Sequence, residues 1–207
     1  MRPGRLVAAC LLAAVAASGC SGGSGGSGGS SATPTSAVTS TAGGPTDTTA
    51  AGTATTTASE GWTTATKAGT NNPKVPEDMP MLVAIRTGSH DGYDRVVLEF
   101  RNDLPSWRVG YVDEVTSESG ATVPLEGAAS LFVQVDPAWG HDQNTPPHEA
   151  TYTGPRSLTP GYPTLRQVRW VDEFEGHLTF GVGLQRRVGF RVLELRGPPR
   201  LAIDVAS

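Results

Sequence analysis

The chain has 207 residues, with 16 basic and 20 acidic side chains and a net charge of -4. That length fits one folded domain plus extra segments. The mild acid excess does not suggest a general nucleic-acid-binding surface.

Residues 1–19 read as a targeting signal. Arg2 and Arg5 make a basic start, and Leu6 to Ala17 is an apolar run too short to span a bilayer comfortably. The small residues Ala17-Ser18-Gly19 then lead directly into Cys20. This stretch resembles the lipobox of bacterial lipoproteins, with Ala17 standing where Leu or Val is more usual. The resemblance implies a signal peptide over 1–19 and lipidation of Cys20. It also implies a protein held by lipid on the outer face of the cytoplasmic membrane. An ordinary secretory signal with an incidental cysteine is the alternative. Cys10, the only other cysteine, lies inside the apolar run and leaves with it, so no disulfide within one mature chain is expected.

Residues 20–73 are composed almost wholly of Ser, Gly, Thr, Ala and Pro. Apolar side chains larger than alanine are nearly absent, so no core offsets the ordering entropy, and a disordered tether is expected. As a flexible coil it reaches about 40 Å. Its serines and threonines also suit O-glycosylation. Trp62, Asp47, Glu60 and Lys67 interrupt the pattern without an explanation at this level. A chain beginning near Lys74 is expected to melt as cooperatively as one that keeps the tether.

From Lys74 to Ser207 the composition changes, with 13 basic and 18 acidic side chains. About 130 residues bury a core without staples. Short runs with two-residue alternation are separated by Gly, Pro, Asp and Asn, and no long 3.6-residue period appears. In chain order the predicted strands are 81–88, 95–100, 107–112, 130–135, 168–175, 177–184, 190–196 and 200–206. Asp91-Gly92 and Phe174-Glu175-Gly176 read as turns. The alternation of Gly181 and Gly183 signals a close backbone approach or a bulge. Eight or so strands with no helix between them predict an all-β fold, an antiparallel β-sandwich of about eight strands preceded by the tether.

Four blocks, in order, carry a family resemblance: HDGYDRVVLEF from His90, FEG with FGVGL from Phe174 to Leu184, FRV from Phe190, and PPRLAIDV from Pro198. They resemble the AMIN-like domain, found in secreted proteins and lipoproteins of actinobacteria. The last block is also similar to the end of the AMIN domain, the amidase N-terminal module. The resemblance implies a β-sandwich over about residues 80–206 that binds peptidoglycan and lacks catalysis.

Two clusters are candidates for ligand contact. The long stretch from Pro137 to about Arg166 carries Trp139, Tyr152, Arg156 and Tyr162, whose flat rings and planar guanidinium suit a glycan. The alternative is that these rings pin the loop to the sandwich. The turn at 90–95 places His90, Tyr93 and Arg95 together, either as a ligand pocket or as a hydrogen-bonded turn. Asp94, Arg200 and Asp204 are expected in structural ion pairs across the sheet. The run HDQNTPPHE, residues 141–149, holds His141, Asp142, His148 and Glu149, but two prolines break the ligand spacing, and no metal site is expected.

Nucleophile-elbow, zinc-protease and P-loop patterns are absent. Asp172, Glu173 and Glu175 do not all share one strand face, which argues against a paired-acid hydrolase. The reading is a membrane-anchored, extracytoplasmic, non-catalytic binding module without cofactors, for peptidoglycan or an associated glycan. The alternative is a structural or protein-interaction module supporting an envelope enzyme. The partners expected are the membrane through Cys20, a glycan or an envelope protein, and no nucleic acid.

Overall fold

The computed structural model describes residues 61–207 and the backbone pairing of Thr56–Ala58. Cys20, the signal and the first part of the expected tether lie outside the described residues. The strands are β1 (Thr56–Ala58), β2 (Lys67–Gly69), β3 (Met81–His90), β4 (Tyr93–Arg101), β5 (Ser106–Val112), β6 (Val115–Thr116), β7 (Thr122–Val123), β8 (Ala129–Asp136), β9 (Ser157–Leu158), β10 (Leu165–Phe174), β11 (His177–Leu184), β12 (Phe190–Leu195) and β13 (Arg200–Ala206). All eight predicted strands form, as β3, β4, β5, β8, β10, β11, β12 and β13. Two antiparallel sheets result. One runs β1-β12-β13-β4-β3, and the other β2-β5-β8-β11-β10-β9, with β6 and β7 as a separate small hairpin.

Alternation sorts the two faces. On β4, Val96, Leu98 and Phe100 are buried while Tyr93, Arg95, Val97 and Glu99 are only partly so. Leu201, Ile203 and Val205 of β13 extend the same inner face. Opposite them, Val109, Leu131, Val133, Val135, Phe180, Val182 and Leu184 line the inner face of the second sheet, and both faces belong to one hydrophobic core. This is the sheet-on-sheet arrangement in which both inner faces lose contact with water.

Two tight turns join long hairpins. Gly92, with φ 81°, closes β3 onto β4, and Glu175 (φ 47°) and Gly176 (φ 81°) close β10 onto β11. The Glu175-Gly176 turn has positive φ at both central residues, the twist-matched hairpin geometry. The alternating glycines of β11 have a specific use. The segment around Leu125 and Glu126 crosses the outer face of β11, where a Cβ on Gly181 would meet Leu125 Cδ1 at 2.8 Å and one on Gly183 would strike the Glu126 carbonyl oxygen.

The tether boundary moves. β1 pairs with β12, and β2 pairs with β5, so these two strands each form an edge of one sheet. Between them Thr63 bridges Phe190 by reciprocal backbone bonds of 3.0 and 2.8 Å. Asn71 donates to Ser106 Oγ, the Pro105 carbonyl and Glu194 Oε1, while its Oδ1 accepts from Arg196. The expectation of an unstructured segment up to residue 73 is therefore corrected for Thr56–Ala58 and residues 61–73. Composition misled because the edge strands use backbone pairing, which threonine, alanine and glycine supply as well as larger residues do.

Candidate functional site

The stretch from Pro137 to Arg166 is fastened to the sandwich along its length. Trp139 forms a parallel bridge with Met81, accepting from the Leu82 amide at 2.7 Å. Tyr152 is 8% exposed, its hydroxyl donates to the Pro155 carbonyl at 2.6 Å, and its ring packs 5.5 Å from Trp170. Burial pushes its phenol above the ordinary tyrosine pKa. Arg156 lies over the Trp170 ring at 4.4 Å. Tyr162 is half-buried, with its hydroxyl 3.5 Å from the Thr87 carbonyl. Met81 and Thr87 are six residues apart on β3, roughly 20 Å at strand rise. Trp139 and Tyr162 are thus separated, and Tyr152 is part of the core. The four residues expected to form a glycan-contacting surface are therefore not brought onto one continuous patch: Tyr152 is buried, Trp139 and Tyr162 are partly buried, and Arg156 is exposed.

The turn cluster is different. His90 stacks on Tyr93 with centroids 4.7 Å apart and planes at 17°. Arg95 lies over the same ring at 5.2 Å. Strand order then adds residues that the local sequence does not reveal. Because β4, β13 and β12 are neighbours, Arg95 sits opposite Asp204, and Asp204 opposite Arg191. Arg191 lies 5.2 Å from the Tyr93 centroid and 4.7 Å from that of Trp62, which is 44% exposed. Trp62 and Tyr93 are 6.3 Å apart. Two rings and two guanidiniums therefore interleave on the outer face of the five-stranded sheet.

Asp204 organises this face from beneath. It is fully buried and accepts from Arg95 Nε at 2.6 Å and Nη2 at 3.0 Å, and from Arg191 Nε at 2.8 Å. The hydrogen bond to Asp204 raises the Arg95 pKa above its already high ordinary value. A charge-assisted fork orients the Arg95 guanidinium, and a single charge-assisted bond holds that of Arg191. With two cations to one anion, the trio keeps a local positive charge in a chain whose net charge is -4. Such a surface stacks on sugar faces and meets acidic or amide groups.

The expected ion pairs hold at Asp204 but need correction at Asp94 and Arg200. Asp94 is fully buried and, among the described residues, enters no ion pair. It accepts from the Thr164 and Leu165 amides, each at 2.9 Å, and from Ser89 Oγ at 2.7 Å. Backbone donors satisfy it where a guanidinium would need space. Arg200 stands opposite Glu99, but Glu99 pairs with Arg86, and Arg200 Nε donates to the Pro198 carbonyl instead.

Residues 141–149 do not converge on a metal. His141 Nδ1 meets Glu173 at 2.8 Å and its Nε2 meets Gln143 at 2.7 Å, while His148 Nδ1 contacts the Asp142 carbonyl at 3.0 Å. Among the described residues no group of three or more His, Cys, Asp or Glu side chains is placed to hold a metal ion. Asp172 accepts from the Glu118 amide and Glu173 from the Gly140 amide, so those acids cap backbone donors.

Trp62 and Arg191 went unrecognised at the level of sequence. An isolated indole in a stretch otherwise free of large apolar residues was the available signal for Trp62. For Arg191 it was the outward phase between buried Phe190 and Val192.

The family model of the AMIN-like domain matches residues 80–207. No curated protein and no solved structure matches the chain. Trp62 and both N-terminal edge strands precede the matched residues.

Proposed function

The chain belongs to the AMIN-like domain family, and on that premise we propose that it is a non-catalytic module of the cell envelope that binds peptidoglycan or an associated glycan. The observation that carries this reading is the face of Trp62, Tyr93, Arg95 and Arg191 over buried Asp204. Aromatic rings that reach the surface beside guanidiniums already tied to a buried carboxylate lose less conformational entropy on binding than free side chains would. His90, stacked on Tyr93, borders the same face. A lipid on Cys20 would hold the domain at the membrane, with the residues before Thr56 as a tether. Among the described residues no helix is long and apolar enough to cross a bilayer.

Co-sedimentation of the full chain with purified peptidoglycan tests the reading. Trp62→Ala and Tyr93→Ala should each weaken sedimentation roughly tenfold, the order expected for an aromatic anchor. Tyr152→Phe should leave it intact. Undiminished binding by the Trp62→Ala/Tyr93→Ala double variant would remove this face as the site. Capture of one envelope protein, with no wall binding by the native chain, would favour the protein-interaction alternative. In a bacterial host with lipoprotein processing, Cys20→Ser should abolish incorporation of a labelled fatty acid; retained label would exclude lipid at that position.

A further inference from the structure

A second concave surface, lined by residues other than those of the ring–guanidinium face, lies between the β6–β7 hairpin and the second sheet. It is a cleft of about 490 Å³, within the range of small-molecule sites. Tyr111, Asp113, Glu114, Thr122, Ser130 and Arg187 supply its polar lining. The Tyr111 ring is fixed by its hydroxyl, which donates to the Val188 carbonyl at 2.7 Å and accepts from the Val188 amide at 2.9 Å. Arg187 lies over that ring at 4.4 Å, and its second terminal nitrogen reaches the Thr64 carbonyl at 3.4 Å. Its guanidinium is thus oriented without a carboxylate.

The charges of the cleft do not neutralise one another. Among the described residues Arg187, Asp113 and Glu114 enter no ion pair, although all three line the same space. Among the described residues Glu114 Oε2 accepts only from Thr122 Oγ1, at 3.1 Å. A cleft that presents one oriented cation and two acids, held apart beyond contact distance, suits a ligand that carries both charges itself. We propose that this cleft binds a short zwitterionic peptide, its carboxylate on Arg187 and its ammonium on Asp113 and Glu114. A guanidinium stacked on a ring offers a planar fork that a carboxylate meets with two parallel hydrogen bonds. The ammonium, a compact point charge, needs only oxygen acceptors, which the two acids provide. This site stands on different residues from the glycan reading and does not depend on it.

The test is an NMR titration of the full chain with alanyl-alanine at up to about 10 mM. N-acetyl-alanyl-alanine and alanyl-alanine amide serve as the singly charged controls. The zwitterion should bind, and each capped form should bind roughly tenfold more weakly, as loss of a charge-assisted contact implies. Arg187→Gln should erase discrimination against the amide, while the Asp113→Asn/Glu114→Gln pair should erase discrimination against the N-acetyl form. Arg187→Lys, which keeps the charge, should retain part of the preference. Tyr93→Ala should bind the dipeptide as the native chain does. Absence of binding by the native chain, or equal binding of all three peptides, would overturn the proposal. Peptide-free glycan strands titrated in parallel separate the two readings: glycan binding without dipeptide binding sinks this proposal alone, and dipeptide binding without glycan binding supports it alone.

Discussion

Asp94 and Asp204 are both fully buried on adjacent strands, yet each is satisfied in its own way. Asp204 faces outward and is covered by the arginines that it holds. Asp94 meets backbone amides at Thr164 and Leu165, and so ties the end of the long loop to the start of β4. Loss of one acceptor therefore strands several buried donors, each costing about 1–3 kcal/mol. Asp94→Ala should destabilise the chain by about 3 kcal/mol in urea denaturation, with the loss read as a lower midpoint at unchanged slope. A loss below about 0.5 kcal/mol would show that water or relaxation replaces the carboxylate. Asp204→Asn should act differently. It leaves two part-exposed guanidiniums without their anion, so wall binding should fall along with stability.

At the scale of the element, the N-terminal edge strands carry the sharpest consequence. Gly69 sits directly against the Trp107 indole, whose Nε1 donates to Glu194 at 2.6 Å, and Asn71 joins the same carboxylate. A chain beginning at residue 74 loses β1, β2, the Thr63 bridge and the Asn71 bonds together. At roughly 1 kcal/mol net per hydrogen bond, the deficit is about 3 kcal/mol or more. It also leaves β5 and β12 as open edges, which favours association. Chains starting at residues 49 and 74 should therefore differ clearly in denaturation midpoint, and the shorter should self-associate. Equal midpoints would show that the edge strands add nothing. The long loop is the counterpart: burial of Tyr152 against Trp170 makes that ring an internal fastening, while Trp139 and Tyr162 stay partly exposed.

For the whole molecule, pH separates folded from unfolded through the tyrosines. Burial raises the pKa of both Tyr111 and Tyr152, each against an ordinary value of 10.0. Above about pH 10 the unfolded chain releases these protons while the folded chain retains them. Unfolding then becomes more favourable as pH rises, and the stability present below pH 10 is lost through the folded pKa values. The melting temperature should be level near neutrality and fall above about pH 10. Tyr152→Phe should flatten part of that fall while costing about 1 kcal/mol at pH 7 for the lost bond to Pro155. An alkaline profile unchanged in that variant would rule out Tyr152 as a source.

The eight long strands were legible because alternation is a local signal: Val96, Leu98 and Phe100 must share a face whatever lies opposite. The turns at Gly92 and at Glu175-Gly176 were legible for a similar reason, since few residues tolerate positive φ. The family blocks, too, lie within those strands and turns. The candidate site was half legible. His90, Tyr93 and Arg95 are close in sequence, but Asp204 lies 109 residues from Arg95 and reaches it only because β13 inserts between β4 and β12. Arg191 and Trp62 enter by the same strand order and by the edge pairing of the N-terminal segment. Whether a tyrosine faces solvent or core also depends on the partner strand, which no two-residue period specifies. Local alternation fixes which residues can share a face; long-range pairing alone fixes which faces meet, because its free energy comes from contacts between segments distant in the chain.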